Sequence, residues 1–293
     1  MSLSAFAPAK VNLFLHVGAL DGDYHPVSSL MVFADVGDRV AIQPADALAF
    51  EIDGPFAGAL ADAAEDNLVM RAARGLLARS GGPQPPFRLI LSKHLPVAAG
   101  LGGGSSDAGA ALRLLREALD LSVQDEVVEA VAATLGADGP VCLHGRPVIG
   151  EGRGDRFHPA PRLPEMHAVL VNPGRPSPTG AVYRAYDAAG APGDADRPRL
   201  PEAFESVEEA AAFLSLCRND LEAPAVGLEP TIGEALAMLR EEPETLLARM
   251  SGSGATCFAL CAGDIEAEGL AERLRRARPG WWIRRCRLGG PWT

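Results

Sequence analysis

The chain has 293 residues, a formal net charge of −11 and a 47% hydrophobic composition. That length suits one large domain or two ordinary ones, and that composition can bury a full core. The acidic balance excludes a general nucleic-acid surface, and no 18-residue apolar run or basic-then-apolar start predicts a membrane span or a secretion signal. The expected location is cytoplasmic.

Residues 5–17 lead into the apolar run Val11-Asn12-Leu13-Phe14-Leu15 and predict a strand. Residues 29–52 predict two or three more, with breaks near Gly37-Asp38 and Pro44. Asp66-Asn67 opens a helix over about 67–79, and a Gly/Pro loop from Ser80 to Pro86 precedes a strand over 87–93. A glycine-dense turn then leads into a helix over 106–119, for which Ser105, Ser106 and Asp107 are good capping types. A second helix, over about 124–134, stops at Gly136. Residues 139–150 read as short and glycine-punctuated, and Glu151 to Asp155 as a polar turn.

The proline-rich run Pro159 to Pro164 marks a boundary between domains spanning 1–158 and 159–293. Beyond it the pattern predicts a strand at 167–172, a loop over 188–204, and helices over 206–217, 230–240 and 264–278. A glycine/serine turn from Met250 to Thr256 precedes strands at 256–262 and 281–287. This mixed order predicts an α+β fold with two lobes. Five cysteines, an odd number without zinc-type spacing, predict buried reduced thiols.

Pro96-Val97-Ala98-Ala99-Gly100-Leu101-Gly102-Gly103-Gly104-Ser105-Ser106-Asp107 is the strongest local signal. Strand, glycine turn and helix start together make an anion site, because glycines let backbone N–H groups converge and the first helical turn leaves donors unpaired. The stretch lacks the Lys-Ser/Thr ending of a P-loop and the spacing of the dinucleotide fingerprint. The serine hydroxyls can add phosphate or metal contacts. Of 27 basic residues only Lys10 and Lys93 are lysines, so each marks a place for a compact ammonium.

Phosphoryl transfer needs held phosphates, a nearby cation and a carboxylate to orient or deprotonate the attacking hydroxyl. Lys10 can supply the cation. Asp138 is the carboxylate candidate, although local sequence alone reads it as an ordinary turn aspartate.

Pro8-Ala9-Lys10, the Gly100 to Ser106 turn and Ser251-Gly252-Ser253-Gly254-Ala255 resemble the three motifs of the GHMP small-molecule kinase superfamily. Ala7 to Leu15, Tyr24-His25, Glu65-Asp66-Asn67-Leu68, Leu135-Gly136-Ala137-Asp138 and Asn219-Asp220-Leu221-Glu222 extend the resemblance over nearly the whole chain. Of these, the Ala9 to Leu15 start, Tyr24-His25 and Asn219-Asp220-Leu221-Glu222 favour a member that phosphorylates a cytidylated sugar alcohol. The resemblance implies a two-lobed α+β fold with the active site between the lobes, ATP as co-substrate with Mg²⁺, and a small-molecule acceptor carrying a cytidine diphosphate group. It puts Asp138 on the catalytic base, Lys10 on the catalytic lysine and residues 96–106 on the ATP phosphate loop. Asn67, Leu68 and Lys93 fall on the adenine side. Tyr24 and Tyr183 fall where rings sandwich cytosine, His25 where the base edge is read, and Asn12 near the acceptor end. The metal ligands stay open.

Two departures stand out. Gly22-Asp23 precede Tyr24-His25 where the family has Asp-Gly, which alters the local loop. Gly139-Pro140 follow Asp138 where the family has Val-Pro, and glycine there is expected to loosen the carboxylate's aim. The alternatives are a homoserine- or mevalonate-type kinase of the same superfamily, or a nucleotide-sensing protein on this fold that lacks catalysis.

Overall fold

The computed structural model describes residues 3–63, 66–81, 85–190 and 193–292. Glu65, one of the residues that carry the resemblance, lies outside the described residues, as do parts of the 80–86 and 188–204 loops. In chain order the strands are β1 (Leu3–Val17), β2 (Val27–Pro44), β3 (Ala49–Asp53), β4 (Phe87–Ser92), β5 (Val148–Gly152), β6 (Arg156–Pro159), β7 (Met166–Asn172), β8 (Thr245–Met250), β9 (Cys257–Cys261) and β10 (Trp282–Gly289). The helices are α1 (Leu68–Ser80), α2 (Gly103–Ala118), α3 (Asp125–Ala133), α4 (Gly139–His144), α5 (Thr179–Ala188), α6 (Val207–Ser215), α7 (Glu222–Leu228), α8 (Pro230–Glu241) and α9 (Asp264–Ala277). The result is the expected α+β class.

The sheet runs β3-β4-β2-β10-β7-β9-β8, with β1 and β5 also paired to β2. Strand β2 organises it because it is long enough to change partners: β4 beside its C-terminal half, β5 beside its start, and β10 at Phe33 and Ala34. That last pairing joins strands from both halves of the chain. Helices α1, α2 and α3 cover one part of the sheet through buried Leu76, Leu112, Leu115 and Val131. Helices α5, α7, α8 and α9 cover the other through Val182, Ala225, Leu236 and Leu270. Each fully buried leucine contributes about 1.5–3 kcal/mol relative to an exposed one.

Strand β2 does not break at Gly37-Asp38; only the break at Pro44 is present. Glycine is needed at 37 for close approach, since a Cβ there would lie 2.1 Å from the Ala7 carbonyl oxygen on β1. Asp38 stays in the strand because its buried carboxylate accepts the His94 and Leu95 N–H groups at 2.5 and 2.8 Å. Helices α4, α5 and α7 and strands β5, β6 and β8 are further elements that the sequence pattern does not predict. All five cysteines are free and buried. Among the described residues no helix is long and apolar enough to cross a membrane.

Candidate active site

Three segments, the N-terminal strand around Lys10 and the two glycine turns, meet at one cleft of about 1020 Å³. Their backbones are laced together. The Lys10 N–H donates to the Leu101 carbonyl at 2.8 Å, and the Thr256 N–H to the Ala99 carbonyl at 3.1 Å. The Ser251 hydroxyl donates to the Gly100 carbonyl at 2.9 Å and accepts the Asn12 N–H at 3.1 Å. Segments about 90 and 150 residues apart in the chain thus share one scaffold.

Gly100 and Gly102 take φ values of +74° and +60°, which L side chains rarely adopt. A Cβ on Gly100 would also lie 2.3 Å from the Ser251 carbonyl oxygen. Gly102 is the N-cap of α2, so the helix starts earlier than expected and Ser105, Ser106 and Asp107 fall inside its first turns. No side chain caps the helix, which leaves its first N–H groups for an anion in the cleft. Ser105 lines the cleft. Ser106 does not: it is fully buried, and its hydroxyl has no partner among the described residues. The helical turn points its side chain into the core.

Lys10 sits under the start of α2. Its ammonium donates to Asn12 Oδ1 at 2.9 Å and pairs with Asp138 Oδ2 at 3.0 Å. Asn12 is aimed in turn by Ser29, whose Oγ accepts from Nδ2 at 2.7 Å and donates to the Phe14 carbonyl at 2.6 Å. A Cβ on Gly102 would lie 3.1 Å from Lys10 Cε and 3.7 Å from Asp138 Oδ2, so the pair lies directly beside the start of α2.

Asp138 stands at the N-cap of α4 without capping it, and its side chain is one-third exposed toward the cleft. Two close contacts hold α4. A Cβ on Gly109 of α2 would lie 2.7 Å from the Cys142 carbonyl oxygen, and one on Gly139 would lie 2.0 Å from the Ala132 carbonyl oxygen. Gly139 thus seats α4, which carries Asp138 at its N-cap, against the end of α3. Gly139→Val is expected to destabilise the fold by about 1–3 kcal/mol, or more because backbone must move. It should also lower kcat. Urea unfolding and steady-state rates check this, and parent-like values for both would contradict the packing role.

Lys93 lines the cleft, yet its ammonium is committed elsewhere. It is 3% exposed and contacts Asp38 at 2.5 Å and Asp107 at 2.6 Å. Burial works against its charge, but Asp107 and Asp38 hold its pKa above the usual lysine value. Burial, opposed by Lys93 and reinforced by Asp38, pushes the Asp107 carboxyl up to about 8. The cluster ties β2, the end of β4 and α2 together beneath the glycine turn. Asn67 caps α1 by accepting the Val69 N–H at 2.9 Å, and Asn67 and Leu68 line the cleft beside Gly104.

Tyr24, His25 and Tyr183 line the other end of the cleft. The Gly22-Asp23 order suits its turn: Gly22 takes φ +65°, and Asp21 and Tyr24 exchange backbone hydrogen bonds. His25 Nδ1 lies 3.0 Å from the Gly18 carbonyl and Nε2 lies 3.2 Å from Asp187. Its ring faces Tyr183 with centroids 5.2 Å apart and planes 30° apart. The Arg153 guanidinium stands 4.1 Å over the Tyr24 ring. Burial, then the Asp138 carboxylate, pushes the Tyr183 hydroxyl up to about 12. Arg153, Asp187, Thr179 and Ser253 also line the cleft, and sequence reasoning did not select them as site residues. Only Ser253 carried a signal, as part of the third glycine turn.

The fold and the three laced motifs define a class, the GHMP kinases. The GHMP kinases N terminal domain family matches residues 67–146 and the GHMP kinases C terminal family matches residues 200–280. A 4-diphosphocytidyl-2-C-methyl-D-erythritol kinase from Caulobacter vibrioides (strain NA1000 / CB15N) is 70% identical over 98% of this chain and 100% of its own. One from Hyphomonas neptunium is 48% identical over 98% of this chain and 97% of its own. A crystal structure of 4-(cytidine 5′-diphospho)-2C-methyl-D-erythritol kinase is 34% identical, with a TM-score of 0.77 over 99% of this chain and 100% of that one. The chain belongs to the 4-diphosphocytidyl-2-C-methyl-D-erythritol kinase family. A homoserine kinase structure, 17% identical with a TM-score of 0.68, shares the fold.

Proposed function

We propose that this kinase transfers the γ-phosphoryl group of ATP to the 2-hydroxyl of 4-diphosphocytidyl-2-C-methyl-D-erythritol. The names of its relatives support the acceptor, and the geometry supports the chemistry. The observation that carries the reading is the Lys10–Asp138 pair, 3.0 Å apart, between the open start of α2 and the aromatic end of the cleft.

In this reading the N–H groups at the start of α2 and the glycine turn hold the ATP phosphates. The acceptor hydroxyl is hindered by the methyl on its own carbon, so orientation matters more than basicity. Asp138 binds Lys10 through Oδ2, which leaves Oδ1 to take or steer the hydroxyl proton. The hydroxyl oxygen bonds to the γ-phosphorus as its bond to ADP breaks. Lys10 holds Asp138 in place through their ion pair and offsets charge on the moving phosphoryl group. Among the described residues no cluster of His, Cys, Asp and Glu forms a metal cage. Mg²⁺ carried by ATP needs few protein ligands, and Ser105 offers a cleft-facing oxygen; the ion would neutralise phosphate charge. Residues 1–158 and 159–293 are read as the two lobes around this cleft.

Tyr183, with Tyr24 and His25, is read as the cytosine clamp. Tyr183→Ala is expected to raise KM for the cytidylated acceptor about ten- to a hundredfold, the worth of one lost base–aromatic stack of ~1–3 kcal/mol. KM for ATP should stay near the parent value, and Tyr183→Phe should cost much less because the ring face remains. Steady-state kinetics with each substrate varied checks this. Equal losses for ATP and acceptor, with a lowered Tm, would make Tyr183 a packing residue.

A further inference from the structure

The cleft of this acidic protein must accept two polyanionic substrates, so the state of each basic group that lines it matters. Lys10 is paired with Asp138, Lys93 with Asp38 and Asp107, Arg153 with Asp23, and His25 with Asp187. Arg184 also lines the cleft. It is exposed and has no hydrogen bond or ion pair among the described residues.

Its position is specific. Helix α5 starts at Thr179, whose Oγ1 lies 2.8 Å from Ser253 Oγ. Next to Ser253, a Cβ on Gly252 would lie 3.3 Å from Asn12 Oδ1, the group that also holds Lys10. One turn further along α5, about 5.4 Å on, Tyr183 meets His25. The first turn of α5 therefore spans from the phosphoryl-transfer end of the cleft to its aromatic end. The Arg184 side chain folds back over that turn: its Nη1 lies 3.4 Å from the Cβ position of Gly180. Gly180 has no side chain to compete for that space. The positive end of the helix dipole reinforces the guanidinium there.

We infer that Arg184, over the first turn of α5, is the specificity residue that receives the diphosphate of the acceptor. The inference rests on the acceptor reading above and assigns the segment between its cytosine and its polyol. An acceptor with cytosine at Tyr183 and its hydroxyl at Asp138 has its diphosphate in the interval that Arg184 overlooks. A guanidinium grips a phosphate through paired N–H donors, and one without a carboxylate partner gives up no ion pair to do so. A cytidine nucleoside without phosphates gains nothing from it.

The test is calorimetric binding of cytidine 5′-diphosphate and of cytidine, with the ATP side filled by a non-hydrolysable ATP analogue. Arg184→Ala is expected to weaken cytidine 5′-diphosphate about ten- to a hundredfold, as for loss of a charge-assisted contact. Cytidine affinity should change less than about twofold on the same basis, and Arg184→Lys should recover part of the loss. Equal weakening of both ligands, no weakening of either, or a loss of ATP-analogue affinity instead would overturn the assignment. If the parent protein binds neither cytidine compound, the acceptor reading itself fails, and the role of Arg184 falls with it. Binding by the parent with no effect of the variant rejects Arg184 alone.

Discussion

Asp138→Asn is expected to lower kcat by about 10²–10⁴-fold, the usual worth of general acid–base help. The amide keeps the size of the carboxylate but cannot take the hydroxyl proton. It also removes the charge that pairs with the Lys10 ammonium at 3.0 Å, so Lys10 loses one of its two anchors and keeps Asn12. Phosphoryl transfer depends more on positioning and electrostatics than on base strength, so the loss combines a missing base with a less well-held cation. ATP affinity should remain near the parent value, because the glycine turn and the start of α2 do not use Asp138 as a cap. Single-turnover rates and calorimetry with a non-hydrolysable ATP analogue check both halves. Activity within a few-fold of the parent would remove Asp138 from the mechanism.

Lys10→Ala is expected to reduce kcat by about 10²–10³-fold, comparable with loss of one donor to a developing anionic centre. Asp138 Oδ2 and Asn12 Oδ1 would both lose their donor. Lys10→Arg should not restore the parent rate. A Cβ on Gly102 would already fall 3.1 Å from Lys10 Cε, so α2 starts in contact with the lysine stem and leaves little room for a planar fork. Steady-state kinetics on variants with parent-like Tm checks this. Full recovery with arginine would show that charge alone matters at this position.

The glycine turn was legible because its chemistry is local. Positive-φ glycines followed by a helix start identify an anion site within a dozen residues. Strand β1, helix α1 and helix α9 were legible by periodicity. Helix α4 was not, because six residues beginning Gly-Pro are too short for a period to appear. Helix α5 offered only Val182 and Tyr186 as buried residues one turn apart, inside a stretch rich in proline and glycine. Strand β2 runs through Gly37-Asp38 for reasons held elsewhere in the chain. Ala7 is 30 residues away, and the N–H groups that satisfy Asp38 are more than 50 away.

The site residues divide in the same way. Lys10, Asp138 and the phosphate loop were reached through motifs. Ser106 was included because it belongs to the same motif, but the helical turn sends it into the core. Lys93 stands out by composition, yet its two carboxylate partners lie 55 and 14 positions away, so its commitment to a buried cluster was not readable. Arg153 and Arg184 lie in no motif, and only the folded chain brings them to the cleft.

The central claim is the acceptor, and ATP turnover with defined acceptors tests it directly. ADP release would be followed with 4-diphosphocytidyl-2-C-methyl-D-erythritol, homoserine and mevalonate, each at saturating ATP and Mg²⁺. The account predicts rapid turnover with the cytidylated polyol, abolished by Asp138→Asn, and background rates with the other two. Preferred turnover of homoserine or mevalonate, or no turnover of the cytidylated polyol by folded protein, would contradict it.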